Sequence, residues 1–217
     1  MDACLPGAAP PSKSGGELDA PLAQLSTCHG RLDARCARLL RLVEAGSPQT
    51  ADAAAVAPAI GPTAAAAAAE AADLIRFFDH VLAQHHADEE EDLFPALIES
   101  MAGSDAVCLK DMTEALRSEH RMLEADWRRL RAELEQVERG ATGTPSVLNA
   151  SSTPSTPSTE LASAAQRFAE RLRSHGERED GELLPMAERL LSDDELAVIA
   201  ASMQRRRSGG AARTPRE

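Results

Sequence analysis

The chain reads as an all-α protein, an antiparallel up-down four-helix bundle closed by a short C-terminal helix. Two observations predict that class. Ala, Leu, Glu and Arg are abundant in a 217-residue sequence that holds four Phe, one Trp and no Tyr, a balance that suits helices and lacks the aromatic residues strands favour. Four long segments also repeat their apolar residues at the helical period, each set off by Gly, Pro or Ser.

Residues 1–19 carry Pro, Gly and Ser with few large apolar groups and read as a disordered leader. Helical patterns follow over about 20–45, 64–101, 105–139 and 159–191, with a shorter one over about 193–206. Gly46, Ser47 and Pro48 open a linker over about 46–63, Gly103 and Ser104 make a short turn, and a Ser/Thr/Pro tract forms a mobile linker over about 140–158. Residues 20–206 therefore make one domain, and 207–217 a disordered tail. Ser192, Asp193 and Glu195 supply the cap and acidic first turn that start the last helix. The short second turn favours antiparallel neighbours, while the longer connections cost closure entropy that grows only slowly with length.

A net charge of −12 argues against nucleic acid or anionic lipid as a partner, because phosphate-rich surfaces reward clustered Lys and Arg. The one basic cluster, Arg205, Arg206 and Arg207, reads as a solvated helix end. Cys4, Cys28, Cys36 and Cys108 form no CxxC pair and are expected as reduced thiols, those on helices packing as small apolar side chains. Met1, Asp2, Ala3 and Cys4 open no signal peptide, so the expected location is cytoplasmic. The Ala-rich run over 51–72 is interrupted by Asp52, Pro58, Gly61, Pro62 and Glu70, and no membrane segment is expected.

Turning each residue by about 100° around its helix sorts the faces. Leu74, Phe78, Leu82, His85, Glu89 and Leu93 share one stripe on the second helix. Phe168, Leu172, His175, Glu179 and Leu183 match it on the fourth. His29 lies among Leu25, Leu32 and Leu39 on the first, and His120 among Leu116, Leu123 and Trp127 on the third. Each of the four helices thus carries a histidine on its apolar face. His86 falls at the stripe's edge, and His80 points away.

One phrase occurs twice with identical spacing: His85, Glu89, Glu90, Leu93, Phe94, Pro95, then His175, Glu179, Asp180, Leu183, Leu184, Pro185. His85 and His175 are 90 residues apart and His29 and His120 are 91 apart; the second offset also pairs Leu32 with Leu123, Cys36 with Trp127 and Leu39 with Leu130. The chain therefore reads as two related helical hairpins. Packed about a pseudo-twofold axis, they deliver four imidazoles and two carboxylates to the bundle centre.

Buried imidazoles and carboxylates without partners cost several kcal/mol each, and a cation removes that cost. A lone core histidine is better explained by a hydrogen bond to a neighbouring glutamate, but two His–Glu pairs in register favour metal. His29, His85, Glu89, His120, His175 and Glu179 are the expected ligands. Neutral imidazole with carboxylate suits iron, manganese or zinc, and six ligands exceed the needs of tetrahedral zinc but suit two carboxylate-bridged ions. Glu90 and Asp180 lie about 140° from their histidines, so Glu89 and Glu179 are assigned as the bridges and Asp180 is kept as a less favoured candidate ligand. Glu119 stands as a further ligand or as a base orienting an imidazole. His86 is divided between an outer role and solvent, and Glu91 and Asp92 read as a solvated face.

With these motifs in order, about residues 20 to 205 resemble the hemerythrin-like, or HHE, cation-binding family: His29, HHADEEEDLFP at 85–95, Glu119 with His120, and HGEREDGELLP at 175–185. The resemblance implies a four-helix bundle around two iron ions in an oxo- or hydroxo-bridged centre, with manganese or zinc as alternatives. It also implies O2 or NO as the small-molecule ligand, with family roles in oxygen binding, oxygen or iron sensing, nitric oxide response and iron–sulfur cluster repair. The oxygen carriers use five histidines, two of them four residues apart on the third helix, where this chain has Leu116 and Glu124 around His120. Water, Glu119 or His86 is left to replace the fifth. The carriers' last motif has its Asp five residues after the His, as Asp180 is here, against the facing preference for Glu179. The expected function is a di-iron protein that binds or senses O2 or NO, linked to iron or to oxidative and nitrosative stress. A peroxide- or NO-consuming oxidoreductase and a structural bundle with incidental metal are the alternatives.

Overall fold

A computed structural model describes residues 20–46, 63–101, 105–142 and 159–210. The expected leader, the interiors of both linkers and the end of the tail lie outside these residues. Five helices make up the described chain: α1 (Pro21–Gly46), α2 (64–100), α3 (Asp105–Thr142), α4 (159–190) and α5 (Asp193–Gly210). All five fall where the periodicity places them. The last helix continues to Gly210, so Arg207 belongs to it rather than to the tail.

Capping defines two starts. Thr63 accepts a hydrogen bond from the Ala66 amide at 3.2 Å to open α2. Before α5, Glu195 accepts from the Ser192 amide at 2.7 Å while the Ser192 hydroxyl accepts from the Glu195 amide at 3.3 Å, a reciprocal capping box.

Two helices change pitch. In α2, Ala64–Ala87 and Phe94–Ser100 are α-helical and Asp88–Leu93 is π-helical; in α4, Thr159–Arg178 and Leu184–Leu190 flank a π segment at Glu179–Leu183. The duplicated proline explains both. Pro95 and Pro185 have no amide hydrogen, and each ring crowds the carbonyl four residues back. The ladder opens by one residue: the Phe94 amide donates to Glu89 and the Leu184 amide to Glu179, five residues back. Consecutive residues, Leu93 with Phe94 and Leu183 with Leu184, are consequently buried on one face.

α1 packs against α2 and α4, and α3 against the same two, closing a ring of four antiparallel helices; α5 lies across α1 and the π segment of α2. The interior has two apolar clusters. One joins Leu32, Leu39, Phe78, Trp127 and Phe168, and the other joins Leu25, Phe94, Leu97, Leu116, Leu184 and Met203. Along every helix of the ring the core histidines fall between these clusters, so a polar layer separates two greasy ones. Arg38 pairs with Glu70 at 2.5 Å, Trp127 donates to Asp79 at 2.9 Å and Arg171 pairs with Asp126 at 2.5 Å, fastening neighbouring helices outside the core. Among the described residues, no helix is long and apolar enough to cross a membrane.

Candidate metal centre

The six expected ligands all converge on the layer between the apolar clusters. His29, His85, Glu89 and Glu179 form one group and Glu89, His120, His175 and Glu179 another, with ligand atoms within 4.8 Å of one another in each. Both glutamates belong to both groups. Glu179 turns Oε2 toward His29 Nε2 at 3.1 Å and Oε1 toward His175 Nε2 at 3.2 Å. Glu89 does the same, with Oε1 3.5 Å from His85 Nε2 and Oε2 3.3 Å from His120 Nε2. Each carboxylate therefore offers one oxygen to each of two positions.

The opposite ring nitrogens explain the direction of the lone pairs. His29 Nδ1 lies 3.0 Å from Asp180, His120 Nδ1 2.6 Å from Glu90 and His175 Nδ1 2.8 Å from Glu119. An ionised carboxylate only accepts, so each Nδ1 carries the proton and each neutral ring aims a bare Nε2 inward. The 3.0 Å approach of His29 Nε2 to His85 Nε2 is thus two acceptors facing a common point. Both oxygens of Glu89 and of Glu179, with Nε2 of His86, His120 and His175, are buried without a hydrogen-bond partner. A wholly buried layer of unsatisfied acceptors fits a cation and little else.

Without a cation, protons must take its place. Burial opposes charging His29 and His120, yet a proton added at Nε2 can be donated to the glutamates, and that gain prevails and raises them to about 9 and about 10. Burial holds His85 down to about 3. Burial, reinforced by the charge of Glu179, lifts Glu89 to about 7, whereas the histidine hydrogen bonds overcome burial and keep Glu179 well below the usual range.

Of the less favoured candidate ligands, His86 joins a group and Asp180 and Glu119 do not. Asp180 is on the far nitrogen of His29, outside both groups, and Glu90 stands in the same relation to His120. The two exchanges are reciprocal across the pseudo-twofold, each hairpin orienting the lone histidine of the other. Glu119 orients His175 and is itself held by Arg178 at 2.8 Å. His86 is the residue that facing arguments underrated. It is 3 % exposed, stacks on His120 at 3.9 Å with planes 8° apart, and groups with His120 and His175 within 4.8 Å. The imidazoles divide three and two, with the fifth coming from α2 rather than α3.

Gly176 is the counterpart of His86 in the duplicated phrase. Where His120 lies against the His86 ring, His29 lies against Gly176, and a Cβ there would meet His29 Cγ at 3.3 Å. A cavity of about 230 Å³ lined by His29, His85, Gly176 and Asp180 opens on this two-imidazole side.

Three expectations are corrected. Arg206 and Arg207 are not a solvated end: both reach Asp88, which is 1 % exposed, and Arg206 also pairs with Glu91 at 2.8 Å and Asp92 at 2.9 Å. Asp92 is therefore an anchor for α5 rather than part of a solvated face, while Glu91 pairs with Arg206 from the exposed position expected of it. Glu90, placed outside the stripe by a regular helical turn, reaches His120 from the π segment. Burial meanwhile pushes the Cys28 and Cys36 thiols up to about 11 and about 12, which keeps both protonated and suits packing, whereas Cys108 on α3, expected to pack in the same way, is exposed.

Comparison with curated proteins and with solved structures found no match. The family model for the hemerythrin HHE cation binding domain matches residues 20–187, a span that holds all five core imidazoles and both shared glutamates. The chain belongs to the hemerythrin HHE cation-binding family.

Proposed function

We propose that this chain is a non-haem di-iron protein that binds or senses O2 or a related diatomic such as NO. The observation that carries the reading is the sharing of Glu89 and Glu179, each turning one oxygen to a two-imidazole set and the other to a three-imidazole set. The donor set of imidazole and carboxylate without thiolate suits iron. His29 and His85 with the shared carboxylates would hold one ion, and His86, His120 and His175 the other. Bound there, iron supplies reversible redox chemistry and an affinity for diatomic ligands.

The chain's own groups do the rest. Asp180, Glu90 and Glu119 fix tautomer and ring orientation, the apolar clusters exclude water from above and below, and the cavity beside Gly176 leaves the two-imidazole side approachable. That same opening favours a second reading, an oxidoreductase consuming peroxide or NO.

Iron reconstitution under nitrogen tests the first reading. Two irons per chain are expected, with near-ultraviolet charge-transfer bands that change on admitting O2 or NO. Uptake of less than about one iron per chain ends it. Steady turnover of peroxide or NO, lost in His85→Ala and His175→Ala, moves the assignment to the enzyme.

A further inference from the structure

Besides His86 against Gly176, the pseudo-twofold that builds the centre is broken at a second point that changes its chemistry. Glu119, which accepts from His175 Nδ1 at 2.8 Å and is held by Arg178, corresponds to Cys28 in the first hairpin. Arg178 corresponds to Asp88. His85, the partner of His175 in the repeat, accordingly has no acceptor: its Nδ1 is buried and unpartnered while its Nε2 faces the centre. The three-imidazole position has His120 against Glu90, His175 against Glu119, and His86 with a longer 3.4 Å contact to Glu124. At the two-imidazole position only His29 has a carboxylate behind it.

A carboxylate on the far nitrogen of a ligating imidazole raises its basicity and holds its orientation, and its loss typically costs 10–100-fold in metal affinity. Resting on the dinuclear reading above, we infer that the two metal positions are unequal and fill in order, the first ion entering at His86, His120 and His175 and the second, weaker and exchangeable, at His29 and His85. Glu119 with Arg178, against Cys28, sets the difference. Glu119 is a positioning residue, acting through His175. The exchangeable ion is then the one beside the cavity at Gly176. Space for the missing carboxylate exists: Cys28, His85 and Arg207 line a separate cavity of about 440 Å³ between α1 and α2, with Arg31 on its wall.

The test is a titration of the metal-free full-length protein with Co(II), followed by calorimetry and by the visible bands that report coordination. Wild type is expected to take up two ions in two phases with dissociation constants at least about tenfold apart. Glu119→Gln should loosen the first phase about 10–100-fold and bring the two together, with helicity unchanged by circular dichroism. Cys28→Glu should tighten the second phase and leave the first alone, an outcome that a merely structural role for Glu119 does not produce. Two ions taken up in one indivisible phase, or a Glu119→Gln effect confined to the weaker phase, overturns the inference while leaving the dinuclear reading intact. Saturation at one ion or fewer ends the dinuclear reading itself. Should Glu119→Gln not fold, Cys28→Glu decides: an unchanged second phase counts against the proposal.

Discussion

Glycine 176 is the smallest residue at the centre and one of the most consequential. Its counterpart is an imidazole, so the same backbone position supplies a donor in one hairpin and room in the other. Gly176→Ala places a methyl 3.3 Å from the His29 ring, tighter than van der Waals contact, and the ring must give by a few tenths of an ångström. Overpacking of this kind costs about 1–3 kcal/mol. The expected result is a lower melting temperature and weaker occupancy at the His29 and His85 position, with the three-imidazole position unchanged, read from a metal titration. Equal loss at both positions would show that Gly176 serves the whole bundle rather than one side. At the same scale, His86 shows why one residue can evade a facing argument. It sits at the edge of an ideal helical stripe, and only the third helix lying against that edge turns it inward.

At the scale of elements, α5 is a clasp on the π segment of α2. Asp88 is 1 % exposed and directly precedes Glu89, and the guanidiniums of Arg206 and Arg207 neutralise it from across the fold. Burial pushes the Asp88 carboxyl up, and those arginines work against the rise. Removing one side of a buried pair leaves an uncompensated charge, which costs about 3–5 kcal/mol. The double variant Arg206→Ala with Arg207→Ala should therefore unfold at a markedly lower denaturant midpoint, and adding Asp88→Asn should restore much of the loss. A triple variant as unstable as the double would mean that α5 holds through Ile199 and Met203 rather than through charge. The π segments carry a second lesson. Pro95 and Pro185 are visible in the sequence as the end of a repeated phrase, but periodicity at 3.6 residues assumes an unbroken ladder. Glu90 and Asp180 both sit in a π segment, and each reaches the far nitrogen of a histidine on another helix.

For the whole molecule, metal and protons compete for one buried layer, and the sign of the pH dependence follows. The His29 and His120 values, about 9 and about 10 against an ordinary 6.5, mean that the metal-free fold gains from their charging fully below pH 6.5 and loses that gain as pH rises toward 9 and 10. Glu89, raised from 4.5 to about 7, favours the metal-free fold while protonated and loses that contribution as pH rises from about 4.5 to 7. His85, held down to about 3, erodes stability in the other direction below pH 6.5. The metal-free protein should thus be most stable slightly below neutrality and weaken by pH 9, while a bound cation replaces the protons and removes the alkaline loss. The gap between metal-loaded and chelator-treated melting temperatures should widen by several degrees from pH 6.5 to 9, measured by differential scanning calorimetry. A gap that narrows over that range would refute proton–metal competition in the layer.

The helices, their order, the duplication and the convergence of His29, His85, Glu89, His120, His175 and Glu179 on one layer were legible in the sequence, because burial on an amphipathic helix follows from the 3.6-residue period and because a repeat at offsets of 90 and 91 exposes paired chemistry. The placing of Glu179 rather than Asp180 among the converging groups was legible too, since four residues is close to one turn and five is not. What only the tertiary structure decided are the contacts between helices far apart in the chain: Asp180 behind His29, Glu90 behind His120, Glu119 behind His175, His86 against His120, and Arg206 on Asp88. The period of one helix says which way a side chain faces. It carries no information about which neighbour is there to meet it.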